Sequence, residues 1–304
     1  MMRRAFAMKC AAAVIVTATT AGCTASAATE PSGNKGPGRD LTDAEQIVVE
    51  RAEETLVREC MAAKGFKYWV WRIASVDERR SYAYVLDDVA WVKKHGYGGR
   101  LVKAAEKARA ADPNAAYYNK FPRTERIRYT RAMEGMPSDT ISAELPGGAR
   151  IEAPASGCQA EAKAELYGGY ETWFRVSTAA ENLTSLFVPA LTADKRFVNA
   201  EKAWSSCMRE AGHDYRSPGQ LREELPALTK GLSDVKAHAV EVALATDEAV
   251  CASSGESGLA DTARGLEREY REQKLKRYAD AVATYRQMQR TALAHAEDIT
   301  GVTA

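Results

Sequence analysis

Apolar positions between Thr42 and Gly65 recur at helical spacing, with Val49, Ala52, Leu56, Cys60 and Ala63 on one stripe. Thr42-Asp43-Ala44-Glu45 forms a capping box at one end and Gly65 a C-cap at the other, which predicts a helix over 43–64. Cys60 lies on its apolar stripe and faces the core. The pattern returns between Ala200 and Gly212. The two copies read Cys60-Met61-x-x-x-Gly65-Phe66-x-Tyr68 and Cys207-Met208-x-x-x-Gly212-His213-x-Tyr215. Identical residues at fixed spacing, each after a helical stretch, point to an internal duplication.

Other stretches predict shorter elements. Apolar residues alternate along 140–145 and 149–153 around Pro146-Gly147-Gly148, a β-hairpin pattern. Helices are expected from Pro122 to Met133, ended by Gly135, and from Tyr170 to Leu186, ended by Pro189. Ser156-Gly157-Cys158-Gln159 reads as a capping box opening another. Ser217-Pro218 starts one with Pro at its first position, and one more begins near Ser233. From about Leu259 to Ile299 a loose stripe (Leu266, Tyr270, Tyr278, Val282, Tyr285, Met288) predicts one long helix amid dense charge. The fold class is mainly α: a helical domain built from two related disulfide-closed units, with a small β-hairpin and a long C-terminal helix.

Upstream of the first helix the pattern changes. Arg3, Arg4 and Lys9 precede an apolar or small stretch from Cys10 to Thr19, with no acidic residue before Glu30. A basic head, a short apolar stretch and a small-residue cleavage site describe a secretory signal peptide over 1–22. The stretch is too short to span a bilayer, which takes roughly 20 residues. Thr20-Ala21-Gly22-Cys23 resembles the lipobox of bacterial lipoproteins, with Thr20 where Leu is usual, and implies lipidation of Cys23. Cleavage after Ala25-Ser26-Ala27 is the alternative and would leave a secreted chain without Cys23. Residues 23–40 are mostly small and polar and read as a flexible tether. The expected folded regions are a first helical unit with the hairpin over 41–190 and a second over 191–304.

Loss of residues 1–22 leaves 39 basic against 41 acidic side chains, a balance that excludes a generally basic nucleic-acid surface. Cys60, Cys158, Cys207 and Cys251 remain. An even number in an exported chain, with no CxxC pair, points to disulfides rather than zinc. Each Cys-Met helix is followed by one further Cys before its half ends, which predicts Cys60 with Cys158 and Cys207 with Cys251. The rival joins the equivalent positions Cys60 and Cys207.

Candidate chemistry is sparse. Eight aromatics fall within residues 66–97, in a chain that is 8% aromatic overall. Trp69, Trp71 and Trp91 are the candidate binding residues, as an exposed face for sugar rings or a protein hot spot. The opposing reading puts these rings in the core. His95, His213, His238 and His295 are scattered, with no metal-binding pair at helical spacing. A Cys207–His213 nucleophile fails if Cys207 is oxidised. There is no GxSxG elbow and no P-loop, and His95-Gly96-Tyr97-Gly98-Gly99 reads as a loop. No catalytic residue, cofactor or metal is implied.

The paired Cys-Met units, with Gly157-Cys158-Gln159-Ala160-Glu161-Ala162 and Leu166-Tyr167-Gly168 between them, resemble a group of uncharacterised actinobacterial exported lipoproteins. The likeness runs from about Ala44 to Cys251. It implies a location outside the cytoplasm and structural cysteines, and carries no activity. The expectation is a non-catalytic envelope lipoprotein, attached to the membrane through its lipid, that binds a protein or a cell-wall glycan. The alternative is an envelope hydrolase with a carboxylate pair assembled from distant positions.

Overall fold

The structure is a computed structural model that describes residues 38–80, 82, 84–254 and 258–303. The signal peptide, Cys23 and most of the tether lie outside these residues. Helix α1 (Asp43–Ala63) carries the capping box: Thr42 accepts from the Glu45 amide and Glu45 from the Thr42 amide. Arg39 pairs with Glu45, and this guanidinium holds the Glu45 carboxyl at about 2. The extended stretch after α1 leads to α2 (Val76–Arg79), α3 (Val89–His95), α4 (Gly99–Ala110), α5 (Pro113–Asn119) and α6 (Arg123–Glu134). The hairpin follows, β1 (Thr140–Glu144) against β2 (Arg150–Pro154), antiparallel with Ser142 opposite Glu152.

Then come α7 (Cys158–Tyr167), α8 (Tyr170–Glu181), α9 (Val188–Thr192), α10 (Lys195–Glu210), α11 (Pro218–Thr229) and α12 (Asp234–Ala252). The chain ends with α13 (Leu259–Lys274) and α14 (Ala279–Thr300). Both disulfides join the expected partners: Cys60–Cys158 with Cα atoms 5.5 Å apart, and Cys207–Cys251 with 5.6 Å. Such bonds belong to an oxidising environment. Among the described residues no helix is long and apolar enough to cross a membrane.

The side chains bury into two principal cores. The first gathers Val49, Leu56, Met61 and Phe66 with Cys158, Leu166 and Trp173, and takes Ala292 and Ala296 from α14. A ring stack crosses it, with Tyr167 and Trp173 centroids 3.7 Å apart and Trp173 and Tyr285 5.2 Å apart. The second gathers Phe187, Leu191, Phe197, Trp204, Met208 and Leu221 with Leu259 and Leu266, and takes Val85 from the earlier chain. Each core therefore draws on both 41–190 and 191–304. A smaller cluster seats Leu86, Trp91 and Val92 on Ala245 and Ala249 of α12.

Several elements depart from the pattern reading. The stretch 259–299 is two helices, not one, separated by a tight turn at Lys276–Tyr278. The turn is held where the Tyr278 hydroxyl donates to the Pro146 carbonyl of the hairpin, 3.1 Å, and its two arms pack on different cores. The 170–186 stretch divides at Asn182. Pro189 opens α9 instead of ending a helix, at a position where its missing N–H leaves no bond unmade. Ser156 does not cap α7; Gly157 does, at φ 93°. A Cβ at Gly157 would stand 2.3 Å from the Gly135 amide, so the close approach of these two turns sets the entry to α7. The 95–99 run is a sharp turn that opens α4.

Candidate binding groove

The aromatic-rich stretch 66–97 is split by the fold. Its first part runs along α4, α5 and α6. There Asn114 exchanges two hydrogen bonds with the Trp69 backbone, both 2.9 Å. The Trp71 Nε1 donates to the Ala108 carbonyl, 3.2 Å. Phe66 is buried, but Trp69 and Trp71 keep 38% and 46% of their surface exposed. Trp91 behaves differently. At 9% exposure it is a core side chain and not part of that surface, which corrects its place beside Trp69 and Trp71 as an exposed residue.

The second part is fastened to α12 by one carboxylate. Glu248 is fully buried. Its Oε1 accepts from the Leu86 amide, 3.1 Å, and its Oε2 from the Tyr97 hydroxyl, 2.7 Å. Arg222 from α11 donates to the Tyr84 carbonyl, 3.1 Å, and to Glu248 Oε1, 3.4 Å. Its guanidinium stands 5.3 Å over the Tyr82 ring. Burial raises the Glu248 carboxyl above its ordinary range and outweighs the three donors. Glu248 was not singled out from the sequence. The signal was present, as a charged residue among the buried Leu244, Ala245, Ala249 and Cys251.

Held this way, Arg80, Tyr82 and residues from Tyr84 to Trp91 wall a groove with two lobes that share Arg80, Tyr82 and Trp91. The first lobe, about 170 Å³, opens against α13, where Ala260 and Ala263 leave room between Arg264 and Glu267. The second, about 150 Å³, lies against Leu101, Val102 and Ala105 of α4. Each is smaller than an ordinary ligand pocket of roughly 300–1,000 Å³ and suits one small ring. Trp91 sits between them, its ring centroid 6.2 Å from Tyr82 and 4.9 Å from His95. Its amide is capped by Asp88, 2.9 Å. The indole Nε1 is buried with no acceptor among the described residues. A buried donor left without a partner costs about 1–3 kcal/mol.

The charges around the groove are mutually neutralised. Asp88 pairs with Arg80, Asp87 with Arg264, and Glu267 with Arg271 at 2.8 Å. Glu78 pairs with Arg72, and Asp77 with Lys94 at 3.1 Å, a bond that lowers the Asp77 carboxyl. A general acid needs a carboxyl raised toward neutrality. Burial raises Glu54, Glu201 and Glu248, and none of them lines the groove.

Elsewhere, Cys60, Cys158 and Glu161 bring two sulfurs and a carboxylate within 4.8 Å of one another, but both sulfurs are in the disulfide and hold no metal in this form. The disulfide of Cys207 likewise removes any Cys207–His213 nucleophile. The His213 Nε2 instead lies 3.0 Å from Asp247 Oδ2. Compared with known protein families, curated proteins and solved structures, the chain matches none.

Proposed function

We propose that this protein is a non-catalytic binding protein of the cell envelope, held at the membrane by a lipid on Cys23, and that its groove takes a ring of a cell-wall glycan. The observation that carries the ligand is the pair of ring-sized lobes that share Arg80, Tyr82 and Trp91, with Tyr84 on the wall of the first. Aromatic faces accept the apolar faces of sugars, and the paired charges around them offer both donors and acceptors to hydroxyls. The lipobox-like Thr20-Ala21-Gly22-Cys23, the small polar tether and the two disulfides support the location. So does the likeness to uncharacterised actinobacterial lipoproteins. The ion pairing of every carboxylate lining the groove weighs against a hydrolase.

One preparation tests both parts. Expressed in an actinobacterial host and extracted with detergent, the protein should carry the mass of a lipidated Cys23. Tryptophan fluorescence should change on titration with a soluble N-acetylglucosamine tetrasaccharide. Trp91→Phe shortens the aromatic wall that both lobes share, so binding should weaken about tenfold. Trp69→Phe should leave it unchanged. A mature chain beginning at Ala28 would overturn the anchor. Equal affinity in Trp91→Phe, or cleavage of the sugar, would overturn the binding reading.

A further inference from the structure

Residues 93–131 hold eleven Lys and Arg against three Asp and Glu, in a chain whose totals are 42 and 41. Pairing removes little of this charge. Lys94 meets Asp77, Lys103 meets Asp234 and Arg128 meets Glu125. The other eight, Arg123, Arg126 and Arg131 among them, have no carboxylate within 4 Å among the described residues.

Three of these, Arg123, Arg126 and Arg131, line one groove. Arg123, Ile127 and Arg131 follow at intervals of four residues and so share a face of α6. The groove, of about 460 Å³, is completed by Tyr118, Arg126, Glu134 and the prolines Pro137 and Pro154. Arg126 is fixed in place: its Nε donates to the Phe121 carbonyl, 3.0 Å, and its Nη2 to the Asn119 carbonyl, 2.7 Å. The guanidinium lies 5.4 Å over the Tyr118 ring. These partners position the charge without neutralising it. Arg123 and Arg131 are exposed, eight residues or about 12 Å apart along the helix. A row of guanidinia matches phosphate oxygens in pairs, which a lysine patch would not.

With the anchor proposed above, the occupant considered is an envelope polymer, and the groove lies at the end of α1 away from the tether. The tether enters at the N-terminal end of α1, which is 21 residues or about 30 Å long. The groove belongs to the other end. Gly135, which closes α6, packs on Gly157 beside the Cys60–Cys158 bond, and Phe66, just past α1, lies 5.3 Å from Tyr129 of α6.

We propose that the α6 groove binds a phosphodiester-linked anionic polymer of the envelope, with Arg123, Arg126 and Arg131 on its phosphates. The full-length protein in a neutral detergent should bind fluorescent poly(glycerol phosphate), with affinity that falls as salt rises. Arg123→Gln with Arg131→Gln alters exposed side chains only, so the fold stands, and affinity should drop at least tenfold. Trp91→Phe should leave polymer binding intact, which separates this site from the glycan groove. Unchanged affinity in the double variant would overturn the proposal. So would equally tight binding of polygalacturonate, which carries carboxylates in place of phosphates, or a preference for vesicles of anionic phospholipid.

Discussion

Helices α1 and α10 close on the same cap. The Phe66 amide donates to the Met61 carbonyl, 2.9 Å, and the His213 amide to the Met208 carbonyl, 2.8 Å. Gly65 and Gly212 turn the chain at φ 86° and 93°, which only glycine adopts freely, and complete a Schellman closure. Both methionines are fully buried. Beyond the cap the two regions diverge. Cys158 is the first residue of α7, so α7 starts where α1 ends, whereas Cys251 lies in the last turn of α12, so α10 and α12 meet at their C-terminal ends. Phe66 goes into the core, edge-on to Tyr129, while His213 stays part-exposed beside Asp247. What is repeated is a helix with its stop signal. The tertiary role of each copy is set by whichever helix the second cysteine brings.

The bonds themselves give the largest effects by which to test the comparison. In the chain-entropy account Cys60–Cys158 and Cys207–Cys251, with separations of 98 and 44 residues, contribute about 4 to 5 kcal/mol each, the shorter loop somewhat less. Urea unfolding of Cys60→Ala/Cys158→Ala and of Cys207→Ala/Cys251→Ala should therefore give similar losses. A difference of more than about 2 kcal/mol would mean that the unequal packing around the bonds, not loop closure, governs them.

The next contrast lies between a buried carboxylate, Glu248, and a half-buried one, Glu54. Glu248 in the second region accepts from three donors, while Glu54 in the first accepts from one, the Tyr68 hydroxyl at 2.7 Å. Glu248→Ala leaves those donors without a partner and should cost about 2–4 kcal/mol; Glu54→Ala should cost about 1 kcal/mol. Burial raises both carboxyls. Their contribution is therefore complete below the unfolded value and is lost as pH rises through the folded one. Glu248→Gln should flatten that loss when stability is followed from pH 4 to 8. A wild-type curve that rises across this window because of Glu248 would contradict the burial argument.

The smallest effects come from exchanging the residues after the cap. Phe66→His puts a polar ring between Phe121 and Tyr129 and should cost about 2–3 kcal/mol. His213→Phe removes one part-exposed contact with the Asp247 carboxylate and should change stability by less than about 1 kcal/mol. Equal costs would show that the two caps are more alike in their surroundings than the structure has them.

Local signals in the chain carried much of this architecture. The capping box at Thr42, the glycine stops and the hairpin turn are short-range features and appear as read; the pairing of cysteines, across 98 and 44 residues, was legible from the repeated Cys-Met unit. What escaped depended on distant partners. The break between α13 and α14 carries no Gly or Pro; it is made by the Pro146 carbonyl, far away in sequence. Residues 89–119 form three helices whose apolar positions are few, because α4 and α5 bury no residue of their own. In the groove, Trp91 stood out by type but not by burial. Its opposite wall, Arg264 and Glu267, comes from a helix more than 170 residues later and gave no sign of belonging there.

The order of the disulfides along the chain bears on how the molecule is made. Each joins one cysteine to the next among the four in the described residues. A polypeptide delivered from its N-terminus offers Cys60 its own partner before Cys207 or Cys251 arrives, so among these four native pairing needs no sorting. The cover of the first core comes much later. Asp40, just before α1, meets Arg286 of α14 across 246 residues, and Ala292 and Ala296 fill the core last. The partners of the first covalent link are thus both present before the helix that shelters it, and a crosslink made in that interval restrains α1 while its apolar stripe still lacks its final neighbour.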